Sequence, residues 1–275
     1  MSRPSRNAKP IDSSTVVVLT GASEGIGAAC ARAFAARGAQ LSLNARTPGR
    51  LEALNIPDAL LTAGDITVAA TREALIGKTI SAFGRIDILI NNAGAGIYWP
   101  PSISPEAETR RLFELNLFAP LALTQLTVPY MRVRRSGTIV NVSSIAGKIT
   151  LPWMTIYSAT KSALSTMTDG FRMELAPHGV HAMSVYPGYV QTEFHKHAIG
   201  ENPPVSIVRG RRFAITADQC AADILRGIER QARAVVTPRW GWAFMAANLF
   251  APGVVENRLN NMNGGVVPGQ NARRV

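Results

Sequence analysis

The 275 residues are 47% hydrophobic and 17% charged, with a formal net charge of +11. That balance supplies a large core and excludes a disordered chain, and no stretch reaches the ~20 uninterrupted apolar residues of a membrane helix. The positive excess is scattered over both ends (Arg3, Arg6, Lys9, Arg273, Arg274) and one cluster (Arg132, Arg134, Arg135). No nucleic-acid-binding motif accompanies it, so it points to solvated faces and attraction for anionic small molecules or lipid, with no nucleic-acid partner.

The first dozen residues lack the apolar centre of a secretory signal and read as a mobile tail. Cys30 and Cys220 fall in helical patterns, as expected of buried thiols in a reducing, cytoplasmic setting. Residues 15–19 form a β-branched, apolar run suited to a strand buried on both faces. Thr20-Gly21-Ala22-Ser23-Glu24-Gly25-Ile26-Gly27 follows and opens a helical pattern that stops at Gly38. Strand, glycine loop and helix start make an anion site, because unpaired N–H groups and the positive end of the helix dipole face one point. Three glycines can also be a plain tight turn. The strand-loop-helix setting favours a dinucleotide, contacted by Gly21, Ser23, Gly25, Ile26 and Gly27.

A second strand over residues 40–44 ends at Ala45-Arg46-Thr47. A carboxylate at this point would bind ribose hydroxyls, whereas an arginine attracts a 2′-phosphate, so Arg46 argues for NADP(H) over NAD(H). A solvent-facing arginine is the alternative, and Glu24 in the glycine loop is a counter-signal. Residues 59–63 read as a third strand, delivering Asp65 and Ile66 to the adenine side; Asp65 could equally N-cap the helix that follows. Residues 86–90 form another buried strand running into Asn91-Asn92-Ala93-Gly94, of which Asn92, Ala93 and Gly94 suit a cofactor wall. Residues 105–132 are helical, with Asn116 and Pro120 inside. An asparagine there needs a reason, since its side chain competes with the helix for hydrogen bonds.

Residues 137–142 form the fifth strand and deliver Ser143 and Ser144. A helix over 155–176 would then put Tyr157 and Lys161 on one face. A fixed cation lowers a phenol's pKa from its reference near ~10, which suits a proton donor, and Ser144 can hold the oxygen that receives the proton. A bare Tyr-x-x-x-Lys pair is also common surface decoration; the upstream motifs give it weight. Residues 181–185 make the sixth strand, ending in a turn whose Pro187, Gly188, Val190 and Thr192 reach the same carboxyl edge. Residues 193–215 show no clean period and read as a substrate loop. His195 and His197 are only two residues apart, and no metal site is expected of them.

Thr216 to Gln219 is a capping-box start for a helix to about residue 233, and residues 234–237 form a seventh strand. With no repeat and no boundary, residues 1–275 read as one domain, the last stretch from about residue 260 being a mobile tail. Between them lies an apolar segment, 240–250, that Pro252 and Gly253 limit to about three helical turns. Trp240 and Trp242 are expected to be shielded by protein, over a pocket or a subunit contact, with weak membrane-surface contact as the alternative.

Taken in order, Thr-Gly-x-x-x-Gly-Ile-Gly from Thr20, Asn-Asn-Ala-Gly from Asn91, the helical Asn116, Ser-Ser-x-x-Gly from Ser143, Tyr-x-x-x-Lys, and Pro-Gly-x-Val-x-Thr from Pro187 resemble the short-chain dehydrogenase/reductase family over residues 16–237. The resemblance implies a three-layer αβα Rossmann fold, a doubly wound parallel sheet of seven strands, and a homodimer or homotetramer. It implies Tyr157 as general acid/base, Lys161 on the nicotinamide ribose, Ser144 orienting the carbonyl, and Asn116 holding a water through its backbone. Asn92, Val190 and Thr192 would lie on the nicotinamide side. Tyr186 departs from the asparagine often found before Pro-Gly, without touching a catalytic role. The implied activity is NADP(H)-dependent ketone (or aldehyde) and alcohol interconversion on an apolar or lipid-like substrate. The rival readings are a non-catalytic NADP-sensing regulator on the same fold and a peripheral membrane-associated binding protein.

Overall fold

The computed structural model describes residues 10–200 and 214–262. Residues 1–9, 201–213 and 263–275, with most of the expected substrate loop and the mobility expected of both ends, lie outside the described residues. In chain order the main elements are β1 (Val16–Thr20), α1 (Gly25–Ala35), β2 (Gln40–Ala45), α2 (Pro48–Glu52), β3 (Leu60–Ala63), α3 (Ala69–Phe83), β4 (Ile88–Asn91) and the two-residue β5 (Ile97–Tyr98). They continue with α4 (Glu106–Phe113), α5 (Ala119–Arg134), β6 (Gly137–Val142), α6 (Thr155–Leu175), β7 (Val180–Pro187) and the short β8 (Val190–Gln191), β9 (Ile199–Gly200) and β10 (Ile215–Thr216). Then come α7 (Ala217–Glu229), β11 (Ala234–Thr237), α8 (Gly241–Phe250) and α9 (Pro252–Met262).

Seven strands pair in the order β11-β7-β6-β4-β1-β2-β3, every pair parallel. The order reverses between β1 and β4, which opens a crevice at their carboxyl ends. Period-two alternation along β1 builds the layers on either side. Val17 and Leu19 pack with Cys30 and Phe34 of α1 and with Cys220 and Ile224 of α7. Val18 faces the opposite layer, with Leu75 of α3, Leu123 of α5 and Leu175 of α6. A fully buried Leu or Phe of this kind contributes about 1.5–3 kcal/mol, which is why strands with no polar face persist at the centre. Both cysteines are buried and free, and burial pushes the Cys30 thiol up to about 12.

Several expectations need correction. Ile11 is not in a mobile tail: it is 6% exposed and joins the core layer beside α1. The helix after β3 is preceded by Val68 as its cap residue, and Asp65 instead accepts bonds from the Thr67 amide and hydroxyl at 2.9 and 2.8 Å. The 105–132 helix is interrupted by a π turn over Glu114–Phe118, because Pro120 has no N–H to give the carbonyl of Asn116. Both ends of the supposed loop are ordered: β9 pairs with β5, and β10 pairs with β8. Trp240 and Trp242 are only half covered by the described residues, at 51% and 49% exposed, and Trp240 borders the main cleft. The capping box at Thr216 forms as the sequence indicates, although α7 ends at Glu229.

The crevice depends on close approach between β1 and α1. A Cβ at Gly27 would stand 2.0 Å from the Gly21 carbonyl oxygen, backbone that cannot yield cheaply. We expect Gly27→Ala to lower unfolding stability by about 1–3 kcal/mol through overpacking. An unchanged urea midpoint would contradict this packing.

Candidate active site

Every residue assigned from the sequence to catalysis or cofactor binding lines one cleft of about 750 Å³ at the carboxyl edge, except Gly27 and Asn116. Gly27 sits behind the loop as the close-packing glycine, and Asn116 is wholly buried behind the cleft wall.

The glycine loop is fastened to the turn after β4. The Thr20 hydroxyl accepts from the amides of Asn92 and Ala93, both at 3.1 Å, and the Asn92 side-chain amide donates to the carbonyls of Thr20 and Gly21 at 3.0 and 3.1 Å. Gly21 and Gly25 adopt φ of +63° and +53°, and a Cβ at Gly25 would stand 2.9 Å from the Thr192 side chain. The bare backbone between β1 and α1 therefore leaves a cradle that side chains would fill, with the helix dipole behind it. At the end of β2, Arg46 is exposed at the rim of the cleft, and no ion pair engages it among the described residues. Glu24 is not an isolated negative charge: its carboxylate meets Arg50 at 2.8 Å and His197 at 3.2 Å. The fold thus brings a carboxylate from the glycine loop to His197.

Tyr157 and Lys161 sit one turn apart on α6, 6% and 4% exposed. The phenol is hydrogen-bonded by Ser144, whose oxygen also accepts from the Ala146 amide at 3.1 Å. Burial pushes Tyr157 up to about 12, and the Ser144 bond pulls only partly against it. The sequence expectation of a phenol acidified by its lysine therefore does not describe this state of the site. Lys161 Nζ stands 5.8 Å from the ring centroid and donates to the Val142 carbonyl at 2.9 Å, while its own burial lowers it to about 8. Loss of water weakens both charged forms, and a carbonyl dipole is what the ammonium has instead.

Asn116 reaches the site through its side chain. Its Oδ1 accepts from the Ala95 amide at 3.0 Å, and its Nδ2 donates to the Ala95 carbonyl at 3.0 Å and the Thr160 hydroxyl at 3.1 Å. A Cβ at Gly94 would lie 3.1 Å from that Oδ1 and 3.3 Å from Lys161 Nζ, so the small residue is needed where three elements meet. The sequence reading missed Thr20 and Thr160, whose signal is only a hydroxyl next to a motif residue. It also missed Phe194, whose ring centroid lies 5.8 Å from that of Tyr157. Ile145, Leu151, Met154, Ile199 and Phe244 complete an apolar half of the cleft.

The Lys161 shift carries a sign. Below about pH 8 the lysine is charged folded and unfolded, and folding bears its full burial cost. As pH rises from about 8 towards the ordinary lysine value of 10.5, the folded lysine loses its proton first and that cost is relieved. Relative to Lys161→Met, the unmodified protein should therefore gain stability over this window, by at most about 3 kcal/mol. Parallel denaturant curves at pH 7 and pH 10 check this; a constant difference between the two proteins would contradict it.

Comparison with known proteins agrees with this geometry. A profile described as short chain dehydrogenase matches residues 15–202. The 11-beta-hydroxysteroid dehydrogenase 1A of Arabidopsis thaliana is 33% identical over 257 residues, covering 88% of this chain and 73% of that protein. A short chain dehydrogenase from Burkholderia cenocepacia, solved in complex with NADP, superposes with a TM-score of 0.76 at 28% identity, covering 91% of this chain and 99% of the other. A 3-ketoacyl-(acyl-carrier-protein) reductase from Brucella melitensis, complexed with NADH, gives 0.73 at 27% identity over 81% and 96%. The sheet order, the glycine cradle and the Ser-Tyr-Lys cluster thus occur in a chain that belongs to the short-chain dehydrogenase/reductase family, oxidoreductases that act on CH–OH groups with a nicotinamide cofactor.

Proposed function

We propose that the protein is an NADP(H)-dependent oxidoreductase that interconverts an apolar ketone, or aldehyde, and its alcohol. The observation that carries this reading is the buried Tyr157 phenol, bonded by Ser144 and one helical turn from Lys161, in the same cleft as the glycine cradle. When bound, the nicotinamide supplies a hydride to the carbonyl carbon. Tyr157 gives its proton to the carbonyl oxygen, and Ser144 donates to the same oxygen and holds it in line. A phenol this hard to ionise needs help as the proton leaves, and the Lys161 ammonium supplies a positive charge for the phenolate that forms. Asn116 positions Lys161 indirectly, by fixing the hydroxyl of its neighbour Thr160. Thr20, Asn92 and the glycines form the cofactor cradle; Asp65 and Ile66 lie on its adenine side, and Pro187, Gly188, Val190 and Thr192 on its nicotinamide side.

The choice of NADP(H) rests on Arg46, an exposed guanidinium suited to charge-assisted bonds with a 2′-phosphate. Glu24 weighs less against that phosphate than its sequence position suggests, because Arg50 already answers its charge. An apolar substrate follows from Leu151, Met154, Phe194 and Phe244 around the reacting end of the cleft. A relative named for a hydroxysteroid is in keeping with that lining.

Two measurements test this reading. By fluorescence titration the protein should bind NADPH more tightly than NADH, and Arg46→Asp should reverse the order; tighter NADH binding by the unmodified protein would refute the assignment. In an NADPH-oxidation assay over apolar ketones and aldehydes, Tyr157→Phe should lower kcat by about 10²–10⁴ with NADPH affinity nearly intact, the size of a lost general acid. Full turnover by that variant would remove Tyr157 from the mechanism.

A further inference from the structure

We propose that the outer face of α8, together with the start of α9, docks on an anionic lipid bilayer. The helix already has a packed side. Gly241 is buried so tightly that a Cβ would lie 2.7 Å from Ile145 and 2.8 Å from Val236. Phe244 and Met245 pack on the same cluster, and the Asn248 amide donates to the Lys148 carbonyl at 3.1 Å. Residues spaced at 100° put Trp242, Ala246, Leu249 and Phe250 on the other side. Trp242 is 49%, Leu249 74% and Phe250 84% exposed, and Val254 at the start of α9 adds another 71%.

A helix on a solvated surface carries charged residues outward. Here no charged residue occurs between Trp240 and Val255; Arg239 flanks the run on one side, and Glu256 and Arg258 on the other. Charge chooses between the possible occupants. A second copy would bring another +11 towards the first, whereas an anionic leaflet attracts that charge. Tryptophan beside arginine at the edge of an apolar face is the chemistry of the headgroup boundary. The face lies on the bilayer and does not cross it, since no helix among the described residues is long and apolar enough to span a membrane. Trp240 and Phe244 also line the cleft, so the docked face adjoins its mouth. Resting on the proposed function, this places a lipid-dissolved ketone beside the entrance to the apolar half of the cleft.

The test is sedimentation of the full chain with vesicles of phosphatidylcholine, with and without phosphatidylserine. We expect binding to the phosphatidylserine vesicles, weakened by salt, and a blue shift of tryptophan emission that Trp242→Phe diminishes. The double variant Leu249→Ser, Phe250→Ser alters only exposed positions and should keep the far-ultraviolet spectrum and melting temperature. It should lose vesicle binding by about tenfold or more, the scale set by two apolar side chains kept out of lipid. No uptake by anionic vesicles overturns the proposal, as does uptake that the double variant leaves unchanged. A concentration-dependent dimer that the double variant dissolves, with no vesicle uptake, assigns the face to a second copy instead. The vesicle readout needs no turnover, so a failed activity assay bears on the catalytic reading alone.

Discussion

A lysine buried to 4% exposure must find an acceptor, and the arrangement around Lys161 follows from that need. Its ammonium takes the Val142 carbonyl at the last residue of β6, which pins the first turns of α6 over the carboxyl end of the sheet. The Lys161 carbonyl in turn accepts from the hydroxyls of Ser143 and Ser165, at 2.9 and 2.7 Å. Gly147 makes room for that turn, since a Cβ there would lie 2.8 Å from the Lys161 backbone. Gly94 leaves space for the ammonium from the opposite side, where Asn116 stitches the strand-end loop to Thr160. With α6 held this way, Tyr157 meets Ser144 one turn earlier in the helix, where an oxygen between the two hydroxyls can receive a proton.

The same constraint separates the molecule into a fixed part and an outer part. Strand ends, glycine loop and α6 share buried hydrogen bonds, so the catalytic cluster inherits the rigidity of the sheet. The segment from Glu193 to His197 is tied by side chains: the Thr192 hydroxyl accepts from the Phe194 amide at 3.4 Å, the His195 ring bonds the buried Tyr98 hydroxyl, and His197 meets Glu24. Beyond β11, α8 rests on the cluster around Ile145 and Val236 and turns its other side outward. The proposed chemistry and the proposed surface contact thus fall to different layers of the chain, which meet at Trp240 and Phe244 on the rim of the cleft.

Most of the sheet was legible because its strands are continuous apolar runs bounded by glycine and asparagine turns, the pattern of a strand buried on both faces. The close packing of the glycine loop was legible for a related reason: glycine is required where backbones touch, and no other residue leaves the same space. What resisted reading depends on contacts far apart in sequence. The π turn at Asn116 could be suspected from Pro120 but not its partners, which come from Ala95 and Thr160. Spacing reveals a lysine near Tyr157 but not the burial that pushes the phenol up. His197 found its acid in Glu24, more than a hundred residues earlier in the chain. How far Trp240 and Trp242 are covered was not legible either, since an apolar run looks the same whether it faces protein or a surface.

The central claim is that this cleft moves a hydride between a nicotinamide and an apolar carbonyl while the chain supplies the proton. Incubating the protein with an apolar ketone and NADPH carrying deuterium at the transferable ring position, then analysing the alcohol by mass spectrometry, tests it most directly. The account predicts an alcohol with one deuterium on the carbinol carbon, its hydroxyl hydrogen exchanging with solvent. An alcohol formed without that label, or no alcohol from any ketone or aldehyde despite tight NADPH binding, would contradict it.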